Sequence, residues 1–460
     1  MLGTTVIIPS AIVPQMGGGN DEKGRVIQTA LFVSGVNTLL QTFFGTRLPS
    51  VMSSSYAFVV PTISIILADR YSEIADPHER FKRIIRGTQG ALIVASTVQI
   101  ILGFSGLWRK VTSCSPCYPL VGMGFYELGF PGVGKCVEIG LPQLILLVVF
   151  SQYLPHVLPG QVFNRFAVLI SVAIVWLYAY LLTVSGAYKY SPLKTQSHCR
   201  TDRSGLVGGA PWIRFPYPFQ WGTPTFNAGE AFAMVASAFV ALVESTGTYI
   251  AISRYASATP LPPSVLSRGI GWQGVAVLLD GLFGTANGSS VSVENAGLLG
   301  LTHVGSRRVV QVSAGFMIFF SILGKFGAVF ASIPAPMVAA LYCLLFAYAG
   351  AAGLGLQFCN LNSFRTKFIL GFSIFLGLSV PQYFNEYTAV AGYGPVHTRA
   401  RWFNDMVNVV FSSEAVVAAL VAFLLDTPCR CMIRRTFKGD TRTEEFYSLP
   451  FKLNKFFPAA

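Results

Sequence analysis

Apolar runs of about 20 residues, the length that crosses a bilayer as a helix, recur along the chain between short polar turns. Residues 28–45, 87–108, 137–154, 166–188, 231–252, 309–333, 334–356, 364–380 and 406–425 read as spans on this pattern. Residues 1–14 are apolar but too few to span alone, and read as the second half of a helix. Residues 17–25 form a polar turn and residues 69–86 a loop of mixed charge. Residues 191–222 make the longest polar connection, a structured external loop rather than a domain. Residues 111–130 hold two prolines and do not read as a regular helix. The span at 231–252 is interrupted by Glu244-Ser245-Thr246-Gly247.

Two apolar stretches break the pattern, and the rest is organised around them. Residues 51–68 carry a serine run at 53–55 and Pro61. A proline there frees backbone groups that protein or a water-lined cavity must satisfy, so an extended piece at 55–58 followed by a short helix is predicted. Residues 272–284 lead into a second stretch, 290–302, too short to cross as a full helix. It opens with Glu294 and Asn295, continues through Gly297, Gly300 and Thr302, and is followed by Arg307 and Arg308. An ionisable residue at membrane depth is by default a functional-site hypothesis, and short Gly-interrupted segments point to a transporter's binding site. The bland alternative is a re-entrant turn whose Glu pairs with a neighbour. Each broken stretch follows two spans in its half of the chain, the correspondence an inverted repeat predicts.

Composition agrees with a polytopic membrane protein. The chain is 52% hydrophobic and 12% charged, with mean hydropathy +0.56, against roughly 25% charged residues in a soluble domain. A net charge of +13 would suggest nucleic acid in a soluble protein; here the basic residues lie in loops and the tail, where anionic headgroups account for them. The basic tail beyond Arg430 and the Arg307-Arg308 pair favour a cytoplasmic C-terminus. Of eight cysteines, Cys114 and Cys117 have CxxC spacing but no second pair, so neither zinc nor thioredoxin chemistry is supported. Cys429 and Cys431 flank Arg430 as palmitoylation candidates, an unmodified pair being the simpler reading. No basic region precedes the first apolar residues, so no cleavable signal is predicted.

The chemistry concentrates on two carboxylates at membrane depth, Glu244 and Glu294. Desolvation penalises the charged form of a carboxylate, so either can hold and release a proton during transport. A carboxylate accepts hydrogen bonds from ring N–H groups, and Asn295 both donates and accepts, which suits the edge of a planar polar solute. Backbone freed at Ser55–Tyr56 and near Gly297 adds donors and acceptors, and Tyr56 or Phe58 an aromatic face, with core packing the plain alternative for both rings. Asp280, Lys325 and Glu414 also fall within spans, open between structural pairing, snorkelling and function. Asn287-Gly288-Ser289 matches the glycosylation pattern but reads as an unmodified turn between membrane segments. No nucleophile–base pair or metal-ligand cluster emerges, which argues against an enzyme.

The run ENAGLLGLTH at 294–303 resembles the signature of the nucleobase–ascorbate transporter family (nucleobase:cation symporter-2): Gln/Glu/Pro-Asn-any-Gly, four residues, Thr, then Arg/Lys/Gly. Glu294, Asn295, Gly297 and Thr302 match; His303 departs from it. Glu244-Ser245-Thr246-Gly247 resembles the family's acidic substrate position in the eighth helix, although Thr248 stands where many relatives have a second acid or a His one turn on. Ser55-Tyr56-Ala57-Phe58 is similar to the short strand of the third segment. The resemblance covers nearly the whole chain and is strongest to plant members. Two further departures are a Gln-His pair that the family carries upstream of the point where this chain begins, so that the first helix reads as truncated, and a region at 111–125 shorter than in relatives.

The resemblance implies an all-α polytopic inverted-repeat transporter of about 14 segments (7+7), with two short strands in broken segments 3 and 10. It implies a core domain at 1–110 and 226–333, a gate domain at 111–190 and 334–429, an extramembrane loop at 191–225 and a cytoplasmic tail at 430–460. The implied function is proton-coupled transport of nucleobases of the xanthine/uric acid, adenine, guanine or uracil class. Substrate would bind Glu244, Glu294, Asn295, Ser55 and Tyr56. Glu244 would couple the proton, and Gly297, Thr302 and His303 would tune selectivity and movement. The proton is the coupling ion, with no cofactor or metal. The expected partners are the nucleobase, the lipid bilayer and a second copy in a homodimer, with no nucleic acid, at the plasma membrane. The alternatives are a transport-incompetent truncated isoform that modulates full-length relatives, and an anion transporter on the same fold.

Overall fold

The computed structural model describes residues 2–72, 74–109, 129–157, 162–201, 212–325, 333–354, 364–391 and 393–430. The expectations for 111–125 and for the tail beyond Arg430, with Cys114, Cys117 and Cys431, lie outside these residues. Apolar helices account for most of the rest. α1 (Leu2–Met16) is followed by α2 (Asn20–Phe43), strand β1 (Met52–Ser54), a 3-10 turn (Tyr56–Phe58), α3 (Val59–Ile66) and α4 (Asp69–Ser72). α5 (Pro77–Phe104) comes next, then α6 (Phe130–Gly134) and α7 (Val137–Val148), which continues through a π-turn (Val149–Tyr153) into Leu154–Val157. α8 (Val162–Val184) and α9 (Leu193–Cys199) close the first half.

The second half holds α10 (Ala228–Tyr255), α11 (Pro263–Phe283), β2 (Ser289–Val291), α12 (Val293–Thr302) and α13 (Arg307–Ile322). α14 (Ala335–Leu354), α15 (Phe364–Ala391), α16 (Arg401–Phe411) and α17 (Glu414–Arg430) complete it. Among the described residues, six helices are long and apolar enough to cross a membrane, lying within α2, α5, α7 with its extension, α8, α10 and α15.

The broken segments form the centre. β1 pairs antiparallel with β2 in the register Met52↔Val291, Ser53↔Ser290 and Ser54↔Ser289, and all six residues are buried. The ladder is extended by Ser55 N to Gly288 O (2.9 Å) and Ser292 N to Val51 O (2.9 Å). Pairing in this way satisfies backbone that would otherwise be orphaned in an apolar interior. Each strand leads into a short helix, α3 or α12, so one strand–helix unit occurs in each half.

Buried polar side chains and glycines hold the long helices against this centre. Asn37 Nδ2 donates to Ala276 O (3.3 Å), and Gln99 Nε2 to Ala238 O (3.0 Å). Such bonds to backbone, with small residues at helix contacts, hold helices together where apolar burial gives no drive. α5 and α11 come so close that a Cβ on Gly103 would lie 2.2 Å from the nitrogen of Gly271. By contrast α8 and α15 expose large apolar residues such as Leu169, Leu181 and Phe375, the faces that meet lipid tails.

Four expectations are corrected. The extended piece is Met52–Ser54, not 55–58: Ser55 Oγ accepts from Ala57 N (3.2 Å) and starts the 3-10 turn. The mixed-charge loop ends early, because Asp76 caps α5 by accepting from His78 N (3.1 Å) with Pro77 at the first helical position. α10 is continuous through 244–247 over its 28 residues. Thr246 Oγ1 bonds Leu242 O (2.7 Å) and Thr248 Oγ1 bonds Glu244 O (2.9 Å), so the hydroxyls fold back onto the helix instead of breaking it. Residues 406–425 are not one straight helix: α16 and α17 meet at a 75° bend, where Ser413 O accepts from Val417 N (3.0 Å).

One link was not expected. Cys136, at the start of α7, is disulfide-bonded to Cys199, at the end of α9, across a sequence separation of 63.

Candidate substrate site

The strand pair delivers Ser55 and Tyr56 to the middle of α10. Ser55 is 3% exposed, and its Oγ lies 3.4 Å from Oε2 of Glu244, itself 6% exposed. One helical turn of α10 serves both neighbours: Glu244 faces Ser55, while Ser245 Oγ accepts from Val291 N of β2 (3.3 Å). Asn287 reaches across the turn before β2 and donates to Ser55 O (2.7 Å) and Gly288 O (3.2 Å). At 1% exposure its amide belongs to the interior, as the unmodified-turn reading expects.

α12 delivers the second carboxylate. Ser292 is its N-cap, accepting from Asn295 N (3.1 Å) and donating to Glu294 Oε2 (2.6 Å). Glu294 acts electrostatically on Glu244, on Tyr56 and on Tyr342 of α14. Two carboxylates, two phenols and a serine therefore converge from four elements. The Asn295 amide donates to Pro49 O (3.1 Å), fastening α12 to the loop ahead of β1. A Cβ on Gly297 would lie 2.1 Å from the carbonyl oxygen of Leu345, so only glycine lets α12 press onto α14 here.

Thr302 and His303 lie at the other end of α12, about 12 Å from Glu294 at the rise of an α-helix. Thr302 Oγ1 bonds Leu298 O (2.8 Å); His303 is exposed and closes the helix in the left-handed region at φ +53. Of the residues proposed from sequence, Ser55, Tyr56, Glu244, Glu294 and Asn295 are thus brought together, Gly297 packs beside them, and Thr302 and His303 stand apart. Tyr342, Ser245 and Ser292 were not anticipated. Ser292 had a signal, a serine just before a short apolar helix; Tyr342, one tyrosine in an apolar run, had none.

Contacts to the later helices lie on both sides of this cluster. Ser64 Oγ of α3 bonds Asp405 Oδ2 of α16 (2.8 Å), and Phe232 of α10 packs on Trp402 at 5.5 Å between ring centroids. At the opposite end of α10, the Tyr255 hydroxyl donates to Tyr348 O of α14.

Carboxylates on α10 and α12, beside two paired strand–helix units in a bundle of apolar helices, are the kind of site a membrane transporter builds. A family model described as a Permease family matches residues 1–386. The Nucleobase-ascorbate transporter 5 of Arabidopsis thaliana is 70% identical over 482 residues, covering 100% of this chain and 91% of that protein. Its transporter 6 is 69% identical, with 100% and 91% covered. The Nucleobase-ascorbate transporter LPE1 of Zea mays is 54% identical, with 100% and 92% covered. This chain belongs to the nucleobase–ascorbate transporter family. Among solved structures it is similar to the transmembrane domain of a cyanobacterium bicarbonate transporter, BicA, at TM-score 0.37 and 16% identity over 91% of this chain and 94% of that one. It is also similar to the murine Solute Carrier 26 family member A9 anion transporter, at TM-score 0.41 and 14% identity over 89% and 67%.

Proposed function

We propose that this transporter carries nucleobases of the xanthine/uric acid, adenine, guanine or uracil class, coupled to protons. The observation that carries the reading is the convergence of Glu244 and Glu294, from separate segments, beside Ser55, Tyr56 and Tyr342. Carboxylates accept from ring N–H groups, and hydroxyls both donate and accept, matching the mixed edge of a base. The relatives' names pair nucleobase with ascorbate. Glu244, whose Oε2 lies 3.4 Å from Ser55 Oγ, takes the coupling proton.

A core made of 1–110 and 226–333 moves against a gate made of 111–190 and 334–429, exchanging the contacts at Asp405 and Tyr348 as the site opens to one side and then the other. Seven-plus-seven segments, a homodimer and a plasma-membrane location complete the reading. Neither a modulating subunit nor an anion transporter is favoured by the relatives.

The test is uptake of labelled xanthine, adenine and uracil by cells expressing the chain, at acidic and neutral external pH, with surface protein measured in the same cells. Saturable uptake of at least one base, faster in acid, is expected. Absence of uptake at good surface expression overturns the function, and uptake indifferent to pH overturns the coupling.

A further inference from the structure

Residues 212–219 cross the ends of α2, α11 and α13 as a strap whose backbone is tied down. Arg214 N donates to Ile322 O (3.0 Å) and Gly324 N to Trp212 O (3.1 Å), so the strap pairs with the end of α13. Phe219 N donates to Leu282 O (2.8 Å) at the end of α11. Gln220 Nε2 then bonds Thr29 Oγ1 of α2 (2.9 Å) and Phe283 O (2.7 Å), and Arg86 Nε of α5 donates to Thr223 O (2.7 Å). Yet the side chains turn outward: Trp212 is 74% exposed and Ile213 66%, and Phe215, Tyr217 and Phe219 are exposed beside them. A fixed loop that presents a contiguous apolar surface marks an interaction site.

Two observations identify the partner. The first is continuity with a lipid-facing stripe. Val309, Val312, Phe316 and Phe319 of α13 are exposed at helical spacing, opposite the side on which Ala314 and Ile318 meet Gly35 of α2. That stripe runs up to Leu323, which bridges Ile213 of the strap.

The second is depth. Leu323 stands 15 residues beyond Arg308, about 22 Å at the rise of a helix. Along α2, Thr29 and Phe43 are 14 residues apart, about 21 Å on the same rise. The hydrocarbon core is about 30 Å thick. With Arg307 and Arg308 at one of its surfaces, the strap cannot clear the other, even after several ångström of arginine reach. Water-side residues lie beyond it: the half-exposed Arg25–Asp21 pair is a turn further out along α2 than Thr29. Lys325 Nζ stands 5.3 Å from the centroid of the Trp212 ring, and such a mix of Trp, Tyr and cation belongs at headgroup level.

We propose that residues 212–219 dock on the lipid bilayer, at the boundary between headgroups and acyl chains, instead of standing in water as an external loop. The strap bonds α2, α5, α11 and α13, all within the segments assigned to the core, so its depth in the bilayer is the depth of the core.

The experiment places a small fluorophore on Ile213→Cys in the full chain, reconstituted in phosphatidylcholine vesicles. The unmodified chain, labelled in the same way, gives the background from its own cysteines. The reference is the same label on Arg83→Cys, a 57% exposed side chain one turn nearer the start of α5 than Arg86. Quenching is measured with iodide in the water and with lipids carrying a nitroxide near the headgroup or near the chain end. At position 213 iodide quenching is expected to be about threefold weaker than at 83, and the shallow nitroxide to quench most, as headgroup-level residues require. Phe215→Cys gives the same readout where the Ile213 substitution disturbs the bridge to Leu323. Equal iodide quenching at both positions, with neither nitroxide effective, puts the strap in water and overturns the proposal. A disulfide-linked dimer formed through Ile213→Cys overturns it as well, because a second copy then covers the strap.

Discussion

Ser292 uses one hydroxyl twice, accepting from Asn295 N and donating to Glu294 Oε2 at 2.6 Å, so the carboxylate is aimed before a substrate arrives. Replacing Glu294 with Gln keeps the shape and an accepting oxygen but removes the charge. Hydrogen bonds to charged groups exceed neutral ones by about 1 kcal/mol, so the base KM should rise by about fivefold to tenfold and the acid stimulation of uptake should change. Identical KM and pH profile for Glu294→Gln at equal surface level would remove Glu294 from the site. Glu244, Glu294 and Asn295 were legible because charge and amide in an apolar run are costly enough to need a reason. Asn287 and Ser245 were not, since a polar residue of modest size is common at helix contacts in membranes. Only the strand register shows that Asn287 faces the Ser55 carbonyl and Ser245 the Val291 N–H.

At the scale of elements, α12 depends on how closely it lies on α14. With a Cβ at position 297 only 2.1 Å from Leu345 O, Gly297→Ala must push the two helices apart. Overpacking of this kind costs about 1–3 kcal/mol. Because the same helix aims Glu294, the variant should melt at lower temperature when purified and also raise the base KM; a variant that matches the native protein in both would show that the approach is not required. The broken segments were readable because 290–302 is too short to span and 51–68 holds Pro61. Their exact strands were not, since a three-residue strand has no period of its own and is set by pairing: Met52 finds Val291, and Ser55 is taken by Ala57 N. The predicted break at 244–247 failed for the opposite reason. Ser and Thr compete with helical backbone in isolation, but here Thr246 and Thr248 bond helix carbonyls and the helix continues.

The orientation of the whole molecule can be argued from the disulfide. Eight cysteines without a spacing pattern gave no pairing in the sequence, because pairing is decided by which ends the fold brings together. The fold brings Cys136 and Cys199 together, packed with Ile139, Val175 and Met337. Disulfides persist in oxidising compartments, so the start of α7 and the connection after α8 face away from the cytosol. α10 then runs inward, and its end lies beside Gly305, where a Cβ would meet Ala256. That argues for Arg307 and Arg308 on the cytosolic side, and the Lys/Arg bias of the sequence favours the same side for the basic residues beyond Arg430. A tag after Ala460 should therefore be reached by antibody only in permeabilised cells, and a membrane-impermeant thiol reagent should label Cys136 and Cys199 only after external reduction. Tag access in intact cells would invert the orientation, and the headgroup account of the basic residues would then have to be given up together with the assignment of the disulfide to the outer face.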